Sequence, residues 1–160
     1  GILNSFFTFH DISNFLERWK YILLSKFKIS ETADEVISFI KENTKNEDKI
    51  FVWGYSPEIY LWANRSPASR FFIPDVAVGL SPGGERFTES NENIEKMREI
   101  ILNDLKENKP FYIIDTSLIC NFGYENFPLE KISVLWQFIE NEYILEKEIG
   151  KIKIYRKKLY

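Results

Sequence analysis

Residues 48–74, DKIFVWGYSPEIYLWANRSPASRFFIP, constrain the fold more than any other stretch of the chain. Lys49 to Trp53 is a β-branched and aromatic run closed by Gly54, which predicts a short buried strand. Ser56 can cap a helix over Pro57 to Ala63, with Pro57 at the first helical position, where its missing N–H costs nothing. Ser69 to Ile73 is a second apolar run, stopped by Pro74. Strand, turn, helix and strand in that order predict a compact βαβ unit, the usual seed of a parallel sheet.

The flanking segments extend that unit. After residues 2–10, apolar without a clear period, Asp11 can cap a helix whose Ile12, Phe15, Leu16, Trp19, Ile22 and Leu23 share one face. Residues 1–29 therefore read as an amphipathic helical segment, packed on the body of the protein or lying at a membrane surface. Residues 30–160 read as a single α/β domain. Ser30 can cap the next helix, with Glu31, Asp34 and Glu35 in its first turn and Ala33, Val36, Ile37 and Ile40 as its buried stripe. Ser90 or Asn91 can cap another, with Ile94, Met97, Ile101 and Leu105 along one face. Phe111 to Asp115 is a continuous apolar strand of the parallel, buried type. Pro128 opens a helix with Leu129, Ile132, Trp136 and Ile139 inward. Tyr143 to Ile149 and Ile152 to Tyr155 flank Gly150-Lys151 as an antiparallel hairpin, and Arg156, Lys157 and Lys158 read as a solvated basic tail. The expectation is a three-layer, Rossmann-like α/β domain. Its strands 49–53, 69–73 and 111–115 lie parallel, and the C-terminal antiparallel hairpin extends the sheet.

Composition narrows the chemistry. The 160-residue chain holds 16% aromatic residues and a net charge of −3, with its positive charges dispersed. That balance argues against a nucleic-acid partner, which selects a basic face. One cysteine, Cys120, allows no internal disulfide and no cysteine-cluster metal site. One histidine, His10, leaves a Ser-His-Asp triad or a multi-histidine zinc site a single residue to rest on. No cofactor and no metal is expected. The chain begins with Gly1 and its only methionine is Met97, which fits a fragment or a processed product. No run reaches the roughly 18 apolar residues of a spanning helix.

In open α/β sheets ligands gather beyond the carboxyl ends of the strands. Those ends are Gly54 to Glu58, Pro74 to Asn91 and Asp115 to Phe127, so Tyr55, Glu58, Asp75 and Asp115 can converge there. Each also has a structural explanation, since strand-end aspartates cap turns and Glu58 suits a helix dipole. Arg70, with Arg65 across Ser66-Pro67-Ala68, can hold a phosphate or carboxylate, or else form an internal salt bridge. Glu58 and Asp75 could be posed as a glycosidase-like acid pair, but sequence supplies no separation between them. Gly83-Gly84 lacks the Lys-Ser/Thr of a phosphate loop and the spacing of a dinucleotide fold. Gly-Tyr-Ser-Pro around Ser56 is only loosely like an esterase elbow. Asn64-Arg65-Ser66 is a glycosylation sequon of the kind chance supplies. No catalytic residue is assigned.

Three segments in order, ETADEVISFIKENT, DKIFVWGYSPEIYLWANRSPASRFF and NIEKMREIILNDLKENKPFYIID, resemble the soluble C-terminal domain of certain prokaryotic membrane glycosyltransferases. These belong to the superfamily of protein O-mannosyltransferases and aminoarabinose transferases, GT-C enzymes that use polyprenyl-phosphate sugars. The resemblance spans roughly residues 30 to 115, through a strand ending in Trp-Gly, a Pro-containing helix and the RSPASR segment. It implies an upstream transmembrane part as partner and a place on the extracytoplasmic face of the membrane. It also implies an accessory role toward a glycan, a polyprenyl-phosphate sugar or an acceptor protein. The family's catalytic acid lies in the membrane part, so no position of this chain inherits it. The rival readings are an independent small α/β enzyme and a protein-interaction module.

Overall fold

Residues 31–80, 91–120 and 123–159 are described by a computed structural model. The expected helix over 12–26, the caps at Ser30 and Ser90 and residues 81–90 of the loop expected between Asp75 and Asn91 lie outside the described residues.

Helix α1 (Glu31–Asn43) forms where the sequence places acidic residues in the first turn and Lys41 in the last, each favourable to the helix dipole. Its Ala33, Val36, Ile37 and Ile40 are buried, the stripe expected from their spacing. Strands β1 (Ile50–Trp53) and β2 (Tyr112–Asp115) are buried along their whole length and pair in parallel, Phe51 opposite Ile113. Between them come α2 (Glu58–Ala63) and the long α3 (Asn91–Asn108). Helix α4 (Ser133–Glu142) follows a single 3-10 turn at Leu129–Lys131, so Pro128 opens that turn and not the α-helix itself. The chain closes with β3 (Tyr143–Ile149), a turn at Gly150 with φ 59°, and β4 (Ile152–Lys157).

The sheet runs β1-β2-β4-β3. Only β1 and β2 are parallel, while β4 pairs antiparallel with both β2 and β3. The largely parallel sheet expected from sequence is thus corrected to a mixed and mostly antiparallel one. On one face Phe51, Trp53, Ile113 and Tyr155 pack with Ile101 and Leu105 of α3 and Leu135 and Ile139 of α4. On the other, the Phe39 ring of α1 lies 5.6 Å from that of Tyr112. A register shift between Leu145 and Lys147 turns β3 over, so that Tyr143 enters the first core while the Lys147 ammonium sits 4.8 Å over Phe39.

The strand expected at 69–73 is not one, and the reason is competition for donors. The backbone bridges β1 only once, Ile50 to Pro67, through Ile50 N–H to Ser66 O and Ala68 N–H to Ile50 O. The next ladder donor, Val52 N–H, is taken at 2.7 Å by the Tyr60 hydroxyl of α2, which closes that edge. Beyond it, Ser69 Oγ and Arg70 N–H both donate to Asp104 of α3, and Phe72 stacks on Tyr60 at 4.9 Å. The apolar run is pinned to helices, not to a strand. The C-terminal basic residues are also placed differently from the solvated tail expected. Arg156 and Lys157 belong to β4, with Arg156 paired to Glu146, and Lys158 donates to the Glu140 and Asn141 carbonyls at the end of α4.

Candidate functional site at the strand ends

Because β1 and β2 are parallel, their carboxyl ends emerge side by side, and the backbone there is tightly fitted. Gly54 holds φ at 118°, and a Cβ on it would meet Thr116 Oγ1 at 2.3 Å and Cys120 Sγ at 3.2 Å. Thr116 donates N–H and hydroxyl to the Trp53 carbonyl, tying the two strand ends together. Tyr55 N–H then donates to Cys120 Sγ at 3.2 Å.

Around this knot the loops bring up polar side chains. The Ser56 hydroxyl is buried beside the thiol, with Oγ 4.0 Å from Cys120 Sγ. Helix α2 starts behind Pro57, whose backbone is already helical, so the capping position falls one residue past Ser56. Asp75 opens a 3-10 turn and accepts a 2.6 Å hydrogen bond from the Tyr124 hydroxyl. Tyr124 is fully buried, edge-on to Trp53 with ring centroids 6.3 Å apart.

The electrostatics follow from burial. Desolvation pushes the Glu58 carboxyl up, against the pull of its own backbone N–H and of Ser56. It raises Asp75 too, with Tyr124 pulling the other way. The Tyr55 phenol is pushed up by burial and then by the negative charges of Asp75 and Glu58. Neither Glu58 nor Asp75 has an ion-pair partner among the described residues. Burial also raises the Cys120 thiol, although Thr116, the Tyr55 N–H and Ser56 lower it. A raised thiol is the reverse of an activated nucleophile.

Tyr55 is therefore within electrostatic reach of both Glu58 and Asp75, whereas Asp115 and Arg70 are occupied elsewhere. Asp115 is buried, and its two oxygens accept the N–H groups of Ser117 and Leu129 at 2.9 Å each, anchoring the loops on either side. Burial still pushes its carboxyl up. Arg70 forms a bidentate contact with Asp104, Nη2 to Oδ1 at 2.8 Å and Nε to both oxygens at 3.1 Å. Burial would raise Asp104, but the Arg70 side chain and backbone hydrogen bonds hold it below the usual carboxylate range. Arg65 is buried against Thr44, Asn46 and the Ala63 and Asn64 carbonyls. Sequence reasoning did not single out Thr116 or Tyr124. Both sit in the loop after β2, where the only signal was their place beyond a strand end, without period or motif.

Among the described residues no group of histidine, cysteine and carboxylate side chains has the arrangement of a metal site, and no helix is long and apolar enough to cross a membrane. The geometry defines a class, a mixed α/β domain with a four-stranded sheet and a polar cluster of carboxylates and hydroxyls at its strand ends. The chain belongs to the family described as "Putative competence-induced protein Ccs4 C-terminal domain", whose model matches residues 30–158. No curated protein matches it. Among solved structures it is similar to the C-terminal globular domain of an oligosaccharyltransferase from Archaeoglobus fulgidus. The identity is 16% and the TM-score 0.43, over 82% of this chain and 100% of that one. At that level the likeness is loose, and nothing about activity passes from one protein to the other.

Proposed function

We propose that this is a non-catalytic accessory domain of a membrane glycosyltransferase that uses polyprenyl-phosphate sugars, standing on the extracytoplasmic face. In this reading it holds an acceptor glycan or peptide at the cluster formed by Tyr55, Glu58 and Asp75. The sequence resemblance to such C-terminal domains supports the reading, as does membership of a family itself described as a C-terminal domain. The assignment to the O-mannosyltransferase and aminoarabinose-transferase group is part of the same proposal.

The observation that carries the site is two carboxylates, the part-buried Glu58 and the buried Asp75, that both act on the Tyr55 phenol and have no ion-pair partner of their own among the described residues. Carboxylates accept from sugar hydroxyls or peptide N–H groups, and the Tyr55 ring offers a stacking surface. Turnover asks for more: a base or nucleophile fixed against an electrophilic sugar carbon, and stabilisation of a phosphate leaving group. Asp115 and Arg70 are engaged in internal contacts, and the Cys120 thiol is held protonated. Binding without transfer is what these groups are equipped for.

Amide NMR titration of the isotope-labelled chain with oligosaccharides and short peptides tests the site. Shifts should concentrate at Tyr55, Glu58 and Asp75 and weaken in Glu58→Gln. Incubation with polyprenyl-phosphate sugars and an acceptor should give no product. Transfer that survives repurification and disappears in Glu58→Ala or Asp75→Ala would overturn the accessory role.

A further inference from the structure

At the opposite end of β2 lies a cleft of about 440 Å³ lined by Lys106, Lys109, Phe138, Glu142, Tyr143 and Lys157. The three lysines come from three different elements: the last turn of α3, the turn that follows it, and β4. Helix C-termini attract lysines for their dipole alone, and Lys106 is accounted for in that way. Lys157 is not, because it stands on a strand. Leu105 O accepts the Lys109 N–H at 2.9 Å, and the Glu140 and Asn141 carbonyls accept from Lys158, which is not part of the cleft lining. None of the three cleft ammonium groups makes a hydrogen bond or ion pair among the described residues, and Glu142 lines the same cleft.

Lys109 adds an independent sign. It occupies the left-handed position just past the end of α3, at φ 45°, where the favoured residue is glycine and any side chain is strained. The ring of Phe138 gives the cleft an apolar wall, with Tyr143 buried behind it and its hydroxyl donating to the Pro110 carbonyl at 2.8 Å.

We propose that this cleft is an anion-binding site for a phosphate-bearing ligand with a ring or acyl body. The lysines neutralise the phosphate, and Phe138 packs against the body. The chain as a whole carries a net charge of −3, so general attraction of anions is not expected of it. The site is separate from the strand-end cluster and does not depend on the function proposed for that cluster.

The same phosphate chemistry can come from a soluble sugar phosphate or from a lipid headgroup, and two probes separate them. Glucose 1-phosphate is titrated against the labelled chain by NMR. Vesicles of phosphatidylcholine with about one-third phosphatidic acid are used for co-sedimentation. With either probe, Lys106→Ala and Lys157→Ala should each weaken binding by about tenfold, more at low salt than at high salt. Lys151→Ala, in the hairpin turn, removes the same charge and should leave binding unchanged. The decisive variant is Lys109→Gly, which relieves the backbone strain. It should raise the melting temperature and still weaken binding, which a purely structural lysine would not do. Binding of glucose 1-phosphate alone identifies a soluble ligand, and binding of the vesicles alone a lipid. No binding of either, or binding that the cleft variants leave intact, overturns the proposal.

Discussion

The two ends of the sheet carry opposite charge and are stabilised in opposite ways. At the carboxyl ends of β1 and β2, carboxylates and hydroxyls are drawn into the protein: Asp115 is locked by two backbone N–H groups, and Asp75 is held by Tyr124. At the other end Lys106, Lys109 and Lys157 border an open cleft, and their ammonium groups make no hydrogen bond or ion pair among the described residues. Side-chain length explains the difference. An aspartate can be buried because the backbone reaches it with donors, whereas a lysine carries its charge to water on a four-carbon stem that can itself be buried. The acidic end is therefore coupled to stability through the hydrogen bonds of Asp115 and Asp75. The basic end carries its charge at the surface, at little cost to the fold.

The contrast breaks most sharply at Gly54. Gly54→Ala must shift Thr116 or Cys120 and adopt a φ that alanine avoids, so it should cost about 3 kcal/mol in urea unfolding. A loss below about 1 kcal/mol would mean that the strand ends are loosely packed. Next comes Asp115→Asn, which turns one acceptor into a donor facing a buried N–H. A loss of about 2 kcal/mol is expected, and an unchanged urea midpoint would show that Asp115 is not a structural anchor.

At the basic end the sign reverses. Lys109→Gly should stabilise the domain by about 1 kcal/mol, read as a higher melting temperature, because glycine adopts φ 45° without strain. The smallest effect is a curve against pH. The folded pKa of Glu58 lies above its ordinary value of 4.5, so the folded state favours the protonated form. Its contribution to stability is fully present below pH 4.5 and is lost as pH rises through the raised value. Glu58→Gln mimics the protonated form at every pH. It should match the wild type in acid and exceed it at neutral pH, and a variant that is less stable at neutral pH contradicts the burial of an unpaired carboxylate.

Local pattern determined a good part of this protein. The stripe Ala33, Val36, Ile37 and Ile40 produced α1, the apolar runs before Gly54 and after Pro110 produced β1 and β2, and Gly150 produced the hairpin turn. Each depends on burial periodicity or on one residue's backbone freedom, which neighbouring residues suffice to encode. What the tertiary structure alone decided is where competing hydrogen-bond donors and acceptors end up. Ser69 to Ile73 has the composition of a strand, yet the Tyr60 hydroxyl takes the Val52 N–H, and Asp104, 35 residues beyond Ser69, takes the Ser69 hydroxyl. Arg156 to Lys158 has the composition of a tail, yet β4 inserts between β2 and β3 and carries Lys157 into the cleft. Tyr124 reaches Asp75 across 49 residues, with no motif to announce it. Such contacts depend on which partner is nearest in space, and a one-dimensional pattern does not encode that distance.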